Sequence, residues 1–223
     1  MADDKTCLIV GVGPGLGAAL ARRFRAGGFT IAVAARDKAR LEGLGLEAAC
    51  YGVDATDPDA MAALFNQVER EQGPIEVAIY NASGRVRGSI AEIDPTEFLE
   101  GWKRSCFGGF LLGQQAARRM LPRERGTVLF TGATAAVKAL AGSSNFAAGK
   151  FGLRAIAESM SRELHPKGIH VCHFNIDGGI GVDEGGEARL RPDAIAETYW
   201  QVHAQHRSAW SHDLPVRPWV ESF

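Results

Sequence analysis

Along this chain, apolar runs of strand length alternate with segments of helical periodicity, and that alternation limits the folds open to it. Residues 7–12 are apolar and end in glycines; Leu16, Leu20 and Phe24 then recur four apart, on one helical face. Gly27-Gly28 closes that helix, and residues 30–35 read as a second strand. A weaker third strand, residues 49–53, precedes Asp57-Pro58, an N-cap and first turn that places Met61, Leu64, Phe65 and Val68 on an apolar face. Residues 76–80, 127–131 and 169–174 are further strands. Asp94-Pro95-Thr96-Glu97 starts a helix that runs to about Met120 with a bend at Gly108-Gly109. Residues 145–164 form a long helix closed by His165-Pro166, and residues 192–206 a last one. One short strand is expected within residues 214–223, and residues 178–191, with five glycines, read as a mobile loop. Strands apolar on both faces between amphipathic helices mean a parallel sheet covered on both sides. The expected fold is α/β and doubly wound, with about seven strands in a single domain over residues 1–223.

Composition narrows the function classes. Lys and Arg number 25 against 26 Asp and Glu, so there is no basic excess for nucleic acid and no polybasic patch for a membrane. The longest apolar runs are far below the ~20 residues of a membrane helix. The start, Met1-Ala2-Asp3-Asp4-Lys5, lacks the basic region of a signal peptide, which leads to the expectation of a cytoplasmic protein. Cys7, Cys50, Cys106 and Cys172 show no paired spacing and fit reduced thiols. The histidines (165, 170, 173, 203, 206 and 212) lie late in the chain. His203 and His206 are an i,i+3 pair, but no third ligand is evident, so no metal is expected. Tyr199, Trp200, Trp210 and Trp219 read as core or subunit packing rather than a substrate box, though exposed they could close a lid.

The first strand runs into Gly11-Val12-Gly13-Pro14-Gly15-Leu16-Gly17. GxGxxG from Gly11 fails at Leu16, whereas GxxxGxG fits Gly11, Gly15 and Gly17. Glycines there let the backbone turn sharply and let phosphate oxygens reach amides at a helix N-terminus. The second strand ends in Arg36, where dinucleotide folds place an acid on the ribose hydroxyls. A guanidinium there pairs with a ribose phosphate, so the expected cofactor is NADP rather than NAD; the competing role is a solvated arginine opening a helix. Asp54 either accepts from an adenine amino group or caps a helix, and Asn81-Ala82-Ser83-Gly84 leaves room for a ribose.

Together these motifs, over roughly residues 5–180, resemble the short-chain dehydrogenase/reductase family. Asn81-Ala82-Ser83-Gly84 stands for that family's Asn-Asn-Ala-Gly, and Phe146 and Lys150 hold the ends of its Tyr-x-x-x-Lys. The resemblance implies a Rossmann-type fold, a nicotinamide cofactor, a small-molecule substrate, and homodimers or homotetramers built on the two long helices. It implies cofactor contacts at Gly11, Gly13, Pro14, Gly15, Leu16, Gly17, Arg36, Asp54, Asn81, Ala82, Ser83, Lys150, Gly178 and Ile180. The proton chemistry departs from the family. Phe146 stands at the catalytic Tyr, Ala133 at the Ser, Cys106 at the Asn, and Asp177-Gly178 at the Pro-Gly after the sixth strand. A phenyl ring has no proton to give, and losing a general acid costs about 10²–10⁴-fold. Replacement donors expected near the cleft are Tyr80 and Thr134 first, with Ser143, Ser144 and Asp177 nearby; Tyr80 also fits a half-buried strand aromatic and Thr134 a loop cap, and Lys150 fits a ribose-binding ammonium that could donate only with a depressed pKa. The expected function is hydride transfer between NADP(H) and a small carbonyl or alcohol with a non-standard proton donor. A catalytically silent cofactor-binding subunit is the second reading, and a dimerisation module without nucleotide the third.

Overall fold

The computed structural model describes residues 5–182 and 188–221. Seven strands form one sheet: β1 (Thr6–Val10), β2 (Thr30–Ala35), β3 (Ala49–Gly52), β4 (Ile75–Tyr80), β5 (Gly126–Thr131), β6 (Ile169–Ile176) and β7 (Asp213–Val216). Their order is β3-β2-β1-β4-β5-β6-β7, and every pair is parallel. Seven α-helices connect them: α1 (Leu16–Ala26), α2 (Lys38–Glu42), α3 (Pro58–Gln72), α4 (Pro95–Trp102), α5 (Gly108–Met120), α6 (Ser144–Leu164) and α7 (Pro192–His203). This is the doubly wound α/β sheet that the alternating periods predict.

The side-chain period of two on each strand sorts the core into two layers. Leu8 and Val10 of β1 face α3, α5 and α6, joining Phe65, Leu112 and Leu153. Cys7 and Ile9 face the other way, joining Leu20 and Phe24 of α1 and Ile195 and Tyr199 of α7. Burying a Leu, Ile or Phe contributes about 1.5–3 kcal/mol, so both helix layers are held by burial on the same strands.

Local chemistry sets the helix starts. Asp57 accepts from the amides of Asp59 and Ala60, and Asp94 from those of Thr96 and Glu97, each ahead of a proline in the first turn. Asp37 caps α2, a helix too short to show in the periodicity. The expected single helix to Met120 is interrupted by a five-residue π-turn, Lys103–Phe107, just before the glycines. Glycine space is used there: an added Cβ at Gly108 would meet Tyr80 Oη at 2.2 Å. α7 stops at His203, three residues short of the expectation.

The segment expected to be a mobile loop is tied at its base. Gly181 N donates to Leu190 O and Leu190 N to Gly179 O, both at 2.9 Å. Residues 183–187 of that segment lie outside the described residues. The late aromatics mostly pack inward: Tyr199 stacks on Phe174, Trp200 meets Phe24 and Phe29 edge-on, and Trp210 stacks on His170, whereas Trp219 is exposed. His203 and His206 do separate work, the first bonded to Thr127 and the second capping a short turn at Ser208. All four cysteines are free, and among the described residues no helix is long and apolar enough to cross a membrane.

Candidate active site

The strand order reverses direction at β1, and the carboxyl ends of β1 and β4 border the crevice where such sheets bind ligands. Two adjoining cavities occupy that edge, of about 450 Å³ on the β2 side and about 850 Å³ on the β5 side, with Asn81 and Ser83 lining both.

The glycines after β1 divide into two sets. Gly11 has φ of +92°, and an added Cβ would sit 2.2 Å from Ala82 N; Gly17 lies against Val12, whose Cα would be 2.8 Å away. These two are required by the chain's own packing. At Gly13 and Gly15 an added Cβ would meet nothing within 4 Å, so their faces are open. Among the described residues, no side chain caps the start of α1. A strand-to-helix turn with an uncapped helix start and open glycines fits a diphosphate. Asn81 holds the turn from the far side, its amide donating to Gly11 O at 2.8 Å. Pro14 and Gly15 are exposed at the helix start, and Leu16 turns into the larger cavity.

The smaller cavity carries three guanidinium groups, Arg36, Arg40 and Arg104, with Asp37, Asp54 and Ala82. Asp37 accepts from Arg40 N at 3.0 Å, so the acid that follows Arg36 is occupied as a cap. Asp54 Oδ1 accepts from Thr56 N at 2.9 Å and Thr56 Oγ1 at 2.8 Å. Those bonds, then Arg36 and Arg104, hold its carboxyl below the usual range. Asp54 therefore fixes a turn before α3; the N-cap itself is Asp57.

Lys150 and Phe146, one turn apart on α6, both line the larger cavity with Ala133, Thr134, Ser143, Gly178 and Ile180. Lys150 is 2 % exposed, and its Nζ donates to Thr131 O at 2.7 Å. Burial lowers its pKa to about 8. The ammonium lies 5.8 Å from the Phe146 ring centroid, and the Arg85 guanidinium 5.0 Å from it. Thr134 begins a short turn after β5; its main-chain oxygen accepts from Val137 and Lys138. Asp177 is paired with Arg217 at 2.6 Å.

One candidate proton donor from the sequence is set aside here. Tyr80 is fully buried, lines the smaller cavity rather than the one that holds Lys150, and donates to Arg104 O at 2.6 Å. Burial pushes its pKa well up, so its proton is committed to closing the π-turn. Cys106 does not turn toward the loop after β4. Its sulfur packs on α6, where a Cβ added at Gly152 would come within 2.6 Å. The π-turn sets that register and aims Ser105 inward instead: its Oγ accepts from Gly84 N at 3.0 Å, donates to Gly84 O at 2.8 Å, and lies 3.4 Å from Ser83 Oγ. Ser105 and Asn145 were not singled out in this role by the sequence, nor was Arg85. The only prior signal for Asn145 is a polar residue at a buried helical position.

An open glycine turn at the switch point of a parallel sheet, with a buried lysine facing the adjoining cavity, defines a dinucleotide-type α/β site. The chain belongs to the short-chain dehydrogenase family, whose profile it matches over residues 5–179. It is 36 % identical to a short-chain dehydrogenase of Rhodopseudomonas palustris, with a TM-score of 0.87 over 96 % of this chain and 99 % of that one. A metagenomic short-chain oxidoreductase solved in complex with NADP is 25 % identical, with a TM-score of 0.84 over 96 % of this chain and 97 % of that one. The 3-oxoacyl-[acyl-carrier-protein] reductase of Mycobacterium avium is 32 % identical over 168 residues, 74 % of this chain. The matched stretch spans 64 % of that reductase's length.

Proposed function

We propose that the chain transfers a hydride between NADP(H) and a small carbonyl or alcohol, with Lys150 in place of a phenol as the proton donor. NADPH, when bound, supplies the hydride. Gly13 and Gly15 would hold its diphosphate, and Arg36, with Arg40 beside it, the ribose phosphate. Asn81, Ala82 and Ser83 would border the ribose, Asp54 the adenine end, and Gly178 and Ile180 the far wall.

The observation that carries the reading is the state of Lys150. Its ammonium is buried beside a cavity, bonded to the Thr131 carbonyl, and titrates near 8. At neutral pH it holds a proton that it can release, which is what a general acid needs. In reduction, Nζ gives its proton to the carbonyl oxygen as the carbon takes the hydride, and the neutral amine recovers a proton from water. Thr134, which lines the same cavity, would orient that oxygen. Ala133 and Phe146 exclude water without entering the proton transfer. These same two apolar side chains support the second reading, a subunit that binds cofactor and turns nothing over.

Loss of NADPH absorbance across a panel of aldehydes and ketones tests the proposal. The rate should be flat below about pH 8, fall about tenfold per unit above it, and vanish in Lys150→Met. Retained NADPH binding with no oxidation of it by any carbonyl would favour the silent subunit.

A further inference from the structure

The cavity beside Lys150 carries two cations that hydride transfer does not use. Arg85 and Lys138 both line it, and no salt bridge joins either of them to a carboxylate among the described residues. Arg85 is an exposed side chain on a loop whose backbone is held at several points. Its guanidinium lies over the Phe146 ring. Its loop is tied at three points: Ser105 Oγ to the Gly84 amide and carbonyl, Asn145 Oδ1 to Val86 N at 3.2 Å, and Gly142 O to Gly88 N at 3.2 Å. Ser105 and Asn145 are both fully buried. The bond between Gly88 and Gly142 also joins this loop to the segment that carries Lys138 and Leu140. The two cations therefore reach the cavity from loops locked to one another.

Around them the wall is apolar. Val137, Leu140 and Ile180 line the cavity and are 44 %, 57 % and 37 % exposed, and Phe146 completes that side. The cavity also has two carboxylates: Asp177 is bound to Arg217, and Glu221 lies near Gly178. Among the described residues lining the cavity, the cations Arg85, Lys138, Lys150 and Arg217 outnumber the anions Asp177 and Glu221 by two. A planar guanidinium on a tied loop beside an exposed apolar wall suits a ligand with a greasy body and a carboxylate.

We infer that this cavity selects a small apolar carboxylate, a carbonyl or alcohol bearing a carboxylate on an apolar chain, with Arg85 receiving the charge and Lys138 supporting it. The inference rests on the cavity being the substrate site of the proposed reaction. It also gives Phe146 a role: a ring without a hydroxyl is an apolar seat for a guanidinium.

Calorimetric titration of the full chain with hexanoate and with hexanamide, its neutral analogue, tests this. Hexanoate should bind at least about tenfold tighter, as a charge-assisted pair is stronger than a neutral one. Arg85→Gln should remove most of that preference and Lys138→Gln a smaller part. Arg87→Gln, exposed on the same loop but outside the cavity, should leave it intact. Saturating NADP⁺ should not displace hexanoate. Four results would overturn the inference: no hexanoate binding in the millimolar range, equal affinity for both probes, a preference that survives Arg85→Gln, or displacement by NADP⁺, which would assign the cations to the cofactor's phosphates. None of the cofactor-free titrations needs NADPH to bind. An intact acid preference without NADPH binding would refute the cofactor reading alone.

Discussion

Lys150 is a cation held where water is scarce, and its titration reaches both chemistry and stability. Burial lowers its folded pKa to about 8, below the unfolded value of 10.5. Below pH 8 both states are protonated and the folded state carries the full desolvation cost. Between about 8 and 10.5 the folded amine loses its proton while the unfolded chain keeps it, so this group's contribution to stability rises with pH. In urea unfolding, the difference between wild type and Lys150→Met should shift toward wild type by up to about 1.4 kcal/mol per pH unit across that window. A difference independent of pH would contradict the buried, depressed lysine. Buried Cys7, Cys172 and Tyr199 also titrate high, but they are common to both proteins and cancel. At this scale the sequence was readable where spacing alone decides, as with Phe146 and Lys150 four apart on one face. It left Tyr80 open between a proton donor and a strand aromatic, because only the fold shows that its hydroxyl meets the carbonyl of Arg104, 24 residues on.

The π-turn between α4 and α5 is where one element decides what the site contains. The glycines at 108–109 advertised a bend, yet the irregularity falls on Lys103–Phe107, and one extra residue in the turn exchanges which side chain faces inward. The turn is stitched by Tyr80 Oη on Arg104 O, and Gly108 leaves the room: a Cβ there would meet Tyr80 Oη at 2.2 Å and Ala55 O at 2.8 Å. Gly108→Ala should therefore cost about 1–3 kcal/mol in chemical denaturation, as overpacking does. In a Tyr80→Phe background the added cost should shrink, because the nearest obstruction is gone. Equal costs in both backgrounds would mean that the hydroxyl does not shape the turn. Strands and capped helices, by contrast, were legible, since Asp57-Pro58 and Asp94-Pro95 carry their own start signals. The short α2 was not, because five residues leave no period to read.

For the molecule as a whole, the all-parallel sheet followed from strands apolar on both faces, and the open turn after the first of them from its glycines. The loop anchors Ser105 and Asn145 and the cation Arg85 were not legible, because their roles depend on residues that meet only in three dimensions. Phe110 of α5 and Phe151 of α6 remain exposed, 39 % and 44 %, on the two long helices expected to build a homodimer or homotetramer. Light scattering should give a mass above that of one chain, and Phe151→Glu should lower it; a monomeric wild type at micromolar concentration would refute that assembly. The account turns most directly on the nucleotide. Calorimetric titration with NADPH and NADH should give a micromolar Kd for NADPH and binding of NADH at least about tenfold weaker, a preference erased by Arg36→Asp. Heat from neither nucleotide, or equal losses for both in Arg36→Asp, would contradict it.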